Sequence, residues 1–130
     1  MVNLGQKFPE FKKKATVSVA PGKEFTEITN NDHISKKRWM VAHPDLNKLK
    51  FPLLADTSKS LAEELGILEG DEKIAYRVTT ITDPNGIVRW VCANDLSIGR
   101  NVDEVVRVLD ALQSGKLTPC GWKKGEKTLN

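Results

Sequence analysis

The chain has little of what marks several protein classes. It carries two cysteines, Cys92 and Cys120, in 130 residues. That is too few for the disulfide framework of a small secreted domain. No apolar run approaches the roughly 20 residues of a membrane-spanning helix, so no membrane partner is expected. Met1-Val2-Asn3-Leu4-Gly5 lacks the basic-then-apolar order of a secretory signal, and the expected compartment is the cytoplasm. There is no glycine-rich phosphate loop, because Gly86 and Gly99 read as turn glycines. No Ser/His/Asp order points to a hydrolase. His33 and His43, with two separated cysteines, match no metal-ligand spacing, and no metal site is expected. The formal charge of +3 is mild and spread among Lys and Glu. It reads as a solvated surface rather than a nucleic-acid footprint. Without repeats, low-complexity tracts or linkers, residues 1–130 read as one domain that includes a tail at 115–130.

What is present is concentrated in residues 74–125. Two β-rich runs flank Asp83-Pro84-Asn85-Gly86, and Asn-Gly is a strong hairpin signal. The first run carries a lone basic residue, Arg77, among Thr and Ile. A helix is expected next. Asn101 can cap it, and Glu104 stands three residues on, as in a capping box. Val102, Val105, Val106, Leu109 and Leu112 fall on one helical face. Gly115 stands where a C-terminal stop belongs. Such a face must lie on something, most simply the preceding hairpin.

Upstream, Ala15-Thr16-Val17-Ser18-Val19 alternates as a strand does, Pro21-Gly22 marks a turn, and residues 24–29 form a partner strand. The Lys12-Lys13-Lys14 run reads as solvated loop. Arg38-Trp39-Met40-Val41 begins like a buried strand and stops after four residues. Pro44 then disfavours a central strand, so residues 44–50 read as a short helix or turn. Residues 51–55 suggest a short apolar strand. Thr57 or Ser58 can cap a helix running to Leu65 and ended by Gly66. Residues 69–73 read as a polar loop. The sum is βαβ-like material around a short sheet, an α/β domain.

Several ordered stretches resemble the typical two-cysteine peroxiredoxins of the alkyl hydroperoxide reductase C type. They are Arg77-Val78-Thr79, Asp83-Pro84-Asn85-Gly86, Ile98-Gly99-Arg100-Asn101-Val102-Asp103-Glu104, residues 106–113, and Pro119-Cys120-Gly121-Trp122-Lys123-Lys124-Gly125-Glu126. Phe51-Pro52-Leu53-Leu54-Ala55-Asp56 and Gly5-Gln6-Lys7-Phe8-Pro9 extend the resemblance. It implies a thioredoxin-like α/β sandwich, here incomplete. The resemblance implies that at least one βαβ unit is omitted between Val41 and Ala42, the one that in the family has central strands and a helix start bearing Pro, Thr and the peroxidatic Cys. Neither remaining cysteine has that context.

For intact relatives the resemblance implies a thiol-dependent peroxidase acting on hydrogen peroxide and alkyl hydroperoxides. It would use no metal or organic cofactor, draw electrons from a thioredoxin-like or flavoprotein disulfide reductase, and form a homo-oligomer. Arg77 would then stabilise the thiolate and align the peroxide through its fixed donors. Read without the resemblance, it pairs with a carboxylate at a strand end. Cys120 stands where some relatives carry a second tail cysteine, with Thr118 at the usual resolving position, so its implied role is a resolving-type thiol. Cys92, within a strand, reads as a buried structural cysteine. Trp122 would dock the C-terminus. Two other readings stay open: a catalytically silent interaction or oligomerisation module, and a truncated product that does not fold stably.

Overall fold

The structure, a computed structural model, describes residues 1–11, 14–16, 25–26, 42–48 and 53–130. In chain order its elements are β1 (Lys14–Thr16), β2 (Phe25–Thr26), a 3-10 turn (Pro44–Lys48), β3 (Leu53–Ala55), α1 (Ser60–Glu64), β4 (Leu68–Glu69), β5 (Ile74–Ala75), β6 (Arg77–Thr82), β7 (Val88–Asn94) and α2 (Val102–Ser114). They fall into two compact units, residues 9–65 and residues 1–8 with 66–130.

In the first unit β1 is the centre of a three-stranded sheet ordered β2-β1-β3. Both pairings are antiparallel, with Ala15 opposite Thr26 and opposite Leu54. The expected partner strand at residues 24–29 is therefore present at Phe25–Thr26. Lys14, expected in a loop, begins β1 instead. The helix or turn expected after Pro44 is there. The Pro21-Gly22 turn, the Arg38-to-Val41 strand start and the Val41 side of the seam lie outside the described residues. Neither Thr57 nor Ser58 is the cap of α1. The Asp56 carboxylate accepts from the Leu61 and Ala62 N–H groups at 3.3 and 2.8 Å, and Lys59 takes the left-handed N-cap position. An Asp side chain can reach across the turn to donors that a hydroxyl one or two residues later would have to share. Leu65 closes the helix as a buried residue.

The second unit contains two hairpins. The small one pairs β4 with β5, so Glu69, expected in a loop, is a strand residue. The large one pairs β6 with β7 antiparallel, from Arg77 opposite Asn94 to Thr82 opposite Val88. Its turn is closed by Gly86 N–H donating to the Asp83 carbonyl at 2.9 Å. Asp83 organises the rest. Its Oδ1 accepts from Asn85 and Ile87 N–H at 2.9 and 3.0 Å, and its Oδ2 accepts from Arg89 Nε at 2.9 Å. These donors, Ile87 N–H foremost, hold the Asp83 carboxyl below the usual carboxylate range, against a partial desolvation that pushes it up. The N-terminal segment lies along the same turn: Gly5 N–H donates to Val88 O at 2.9 Å, Val88 N–H to Gln6 O at 2.8 Å, and Phe8 N–H to Gly86 O at 2.7 Å. Val88, bonded on both sides, is fully buried.

α2 begins and ends where its sequence signals stand. Asn101 Oδ1 accepts from Glu104 N–H at 3.1 Å, and Gly115 takes the left-handed C-cap position. The reciprocal half of the capping box is not made. Glu104 Oε2 accepts from Arg107 Nε at 2.6 Å and Oε1 from Nη2 at 2.8 Å. A bidentate charged pair one turn along outcompetes a bond to a single neutral N–H. The expected burial of the apolar face is also only partly realised. Val105, Val108 and Ala111 are half-buried, while Val102, Val106, Leu109 and Leu112 are exposed. A two-stranded hairpin is too narrow to cover so wide a stripe.

Candidate functional site

The residues singled out from the sequence sit at two places, the open end of the β6–β7 hairpin and the tail after α2. Arg77 is the first residue of β6 and is exposed. Its Nε donates to the Leu96 carbonyl at 3.4 Å, in the connection that leads from β7 to α2. The expected alternative, a carboxylate partner, is replaced by this backbone oxygen. Opposite Arg77, Asn94 forms a relay that the sequence did not announce. The Cys92 thiol donates to Asn94 Oδ1 at 3.3 Å, and Asn94 Nδ2 donates to the Gly99 carbonyl at 2.9 Å. Cys92 is thus tied to the connection rather than fully buried. It borders a cavity of about 50 Å³ between Thr79, Trp90 and Asn94 of the hairpin and Asn101, Glu104 and Val105 of α2. That leaves room for a few water molecules at most.

The tail is docked along α2. Trp122 is 4% exposed, and its indole N–H donates to the Glu126 carbonyl at 3.0 Å. Arg107, having engaged Glu104, turns its Nη1 to the Trp122 carbonyl at 3.2 Å. The Glu104 bond in turn holds Arg107 more firmly protonated, while Arg107 lowers the Glu104 carboxyl. Lys124 pairs with Asp110 at 3.0 Å. Further on, Leu129 N–H reaches the Leu117 carbonyl at 2.8 Å. Glu104 and Arg107 stand three apart, the spacing of helix-surface ion pairs, so this clasp could have been read from the sequence.

Cys120 rides on that docked tail. Trp122 N–H donates to the Pro119 carbonyl at 3.2 Å, closing a turn over Cys120 and Gly121. Gly121 has φ +69°, the left-handed value that the third position of such a turn favours in glycine. The thiol at the turn's tip is exposed, that of Cys92 is half-buried, and neither is in a disulfide. Among the described residues nothing joins Arg77 to Cys120. With Cys92 on β7 and Cys120 in a turn, no cysteine of the chain stands at a helix N-terminus. That is the setting that most readily lowers a thiol's pKa.

Comparison with solved structures defines the class first. The chain superposes on AhpC of Mycobacterium bovis with a TM-score of 0.80 at 30% identity, over 95% of this chain and 99% of that one. The reduced two-cysteine peroxiredoxin of Plasmodium vivax shares the fold, with a TM-score of 0.81 at 22% identity over 98% and 92% of the two chains. This is the thioredoxin-like fold of the peroxiredoxins. The AhpC/TSA family model matches residues 4–91, and the chain belongs to that family. The alkyl hydroperoxide reductase C of Mycobacterium tuberculosis H37Rv is 50% identical over 93 residues, which is 72% of this chain and 47% of that protein. The chain spans about half the length of the curated relatives it matches.

Proposed function

We propose that the chain serves thiol-dependent reduction of hydrogen peroxide and alkyl hydroperoxides. Cys120 is the resolving-type thiol and Arg77 the cation that steadies thiolate and peroxide. In the step assigned to it, the Cys120 thiolate attacks the sulfur of a cysteine sulfenic acid. An S–S bond forms, the S–O bond breaks, and the oxygen leaves as water after protonation. A thioredoxin-like or flavoprotein disulfide reductase then supplies two electrons to restore both thiols. The sulfenic acid comes from a peroxidatic cysteine that this chain does not itself carry at a helix start. The observation that supports the role is Cys120's placement, exposed at the tip of a turn that buried Trp122 fixes against α2. The proposed setting is a homo-oligomer, without membrane or nucleic-acid partner and with no metal or organic cofactor. It lies in the cytoplasm, where reductants keep such thiols free. Residues 1–130 are proposed to act as one domain.

A specific observation favours a second reading, a catalytically silent interaction module. Arg77 is engaged with the Leu96 carbonyl, and neither thiol is its partner. Mixing the purified chain with a two-cysteine peroxiredoxin whose resolving cysteine is replaced by Ser, then adding hydrogen peroxide at neutral pH with a chelator, separates the two. A mixed disulfide that is lost in Cys120→Ser of this chain and forms more slowly in Arg77→Ala supports the peroxidase reading. No mixed disulfide leaves the silent module.

A further inference from the structure

Of the chain's asparagines only Asn85 stands before a glycine. It lies with Pro84 at the tip of the β6–β7 turn and is exposed. Its main-chain N–H donates to Asp83 Oδ1 at 2.9 Å, and its side-chain amide takes no partner among the described residues. Gly86 follows in the left-handed region at φ +77°, and a Cβ there would meet nothing nearer than Lys7 Cγ at 4.0 Å. The Gly86 nitrogen therefore has no side chain to shield it from its neighbour's. What restrains it is its own N–H, which donates to the Asp83 carbonyl at 2.9 Å. A turn at an exposed tip opens locally at low cost, and opening frees that nitrogen. The same turn is where the N-terminal segment docks. Phe8 N–H donates to Gly86 O, while Gly5 N–H and Gln6 O hold fully buried Val88.

We propose that Asn85 is a site of spontaneous deamidation, and that its isoaspartate product releases the N-terminal segment from the hairpin. In the opened turn the Gly86 nitrogen gives its proton to hydroxide and attacks Asn85 Cγ. A C–N bond forms, the bond from Cγ to the side-chain nitrogen breaks, and ammonia leaves, taking a proton from water. Water then opens the five-membered imide. Attack at Cγ gives aspartate. Attack at the main-chain carbonyl gives isoaspartate, in which the chain runs through Cβ and Cγ. The sum converts one amide and one water to one carboxylic acid and one ammonia, with no change of oxidation state. The isoaspartate linkage lengthens the main chain by one atom inside a turn whose end Cα atoms must stay within about 7 Å. It also sets a new carboxylate near that of Asp83, and like charges repel. Gly86 is displaced from the position in which it donates to Asp83 and accepts from Phe8. The proposal needs nothing from the peroxide chemistry above.

Ageing the full chain in mildly alkaline buffer under reducing conditions, followed by peptide mass mapping and isoaspartate-specific enzymatic methylation, tests it. Asn85 is expected to convert ahead of every other asparagine, with more isoaspartate than aspartate. Asp83→Ala removes the carboxylate that holds the Asn85 and Ile87 N–H groups and should speed conversion severalfold. Asn85→Gln should abolish it, because the larger ring closes far less readily. Hydrogen exchange reads the consequence. The Phe8 and Val88 amides should exchange severalfold faster in the aged chain. They should stay slow in aged Asn85→Gln and in fresh Asn85→Asp, whose added charge comes without an added main-chain atom. Conversion of the urea-unfolded chain but not of the native chain overturns the site. Conversion without faster exchange at Phe8 and Val88 overturns the release.

Discussion

One side of α2 is clasped by the chain's own tail, and another lies open. On the clasped side Arg107 holds both Glu104 and the Trp122 carbonyl, Lys124 meets Asp110, and the Trp122 ring is buried. All of these partners lie within about one helix and one tail of each other in the chain. On the open side Val102, Val106 and Leu109 are exposed although the helical period made them core candidates. Contacts close in sequence cost little chain entropy to close, whereas contacts with distant elements cost more. The difference separates what α2 secures from its own neighbourhood from what it leaves open.

The comparison can be broken most sharply at Trp122. Trp122→Ala is expected to destabilise the second unit by about 3–5 kcal/mol and to loosen the tail, read as a lower thermal midpoint and a changed rate of Cys120 alkylation. An unchanged midpoint would mean that the clasp holds nothing. Val88→Ala, at the fully buried crossing of the hairpin and the N-terminal segment, should cost about 2 kcal/mol in denaturant unfolding. By contrast, Val106→Ala on the open flank should stay within about 0.5 kcal/mol at concentrations that keep the chain monomeric. Asn101→Ala removes the cap that both flanks share and should cost about 1 kcal/mol.

The smallest expected effect is on pH dependence. The folded-state pKa values of Asp83 and Glu104 are lowered, chiefly by Ile87 N–H and by Arg107 respectively. Their contributions are therefore complete above the unfolded carboxylate range and fade as pH falls through about 4 and below. Glu104 is largely solvated, and desolvation opposes the lowering at Asp83, so the loss is shallow. Asp83→Asn should flatten its share of that slope in acid unfolding curves, and an unaltered slope would remove Asp83 from the account.

What the sequence allowed one to read follows the same division. The hairpin around Asp83-Pro84-Asn85-Gly86, the helix between Asn101 and Gly115, and the strand pair at residues 15 and 26 follow local rules of turns, caps and alternation. They stand where those rules put them. Asp56 as the α1 cap was missed because Thr57 and Ser58 sit closer to the helix and carry the commoner signal. The β4–β5 hairpin was missed because two-residue strands leave no period to detect. The exposure of Val106 was not legible at all, since a hydrophobic pattern records what a helix was built to touch and not whether the partner is present. At the site, the free Cys120 turn could be anticipated from Pro119 and Gly121. The engagement of Arg77 by the Leu96 carbonyl could not, because a backbone acceptor leaves no mark in side-chain pattern.

Native-state hydrogen exchange along α2 tests most directly whether the clasped side is a self-sufficient structure. The account predicts slow exchange for the amides of the middle turns, from Val105 to Ala111, and for the Trp122 indole N–H, with both sped up together in Trp122→Ala. Exchange of those protons at the rate of an unstructured peptide in the unaltered chain would contradict it.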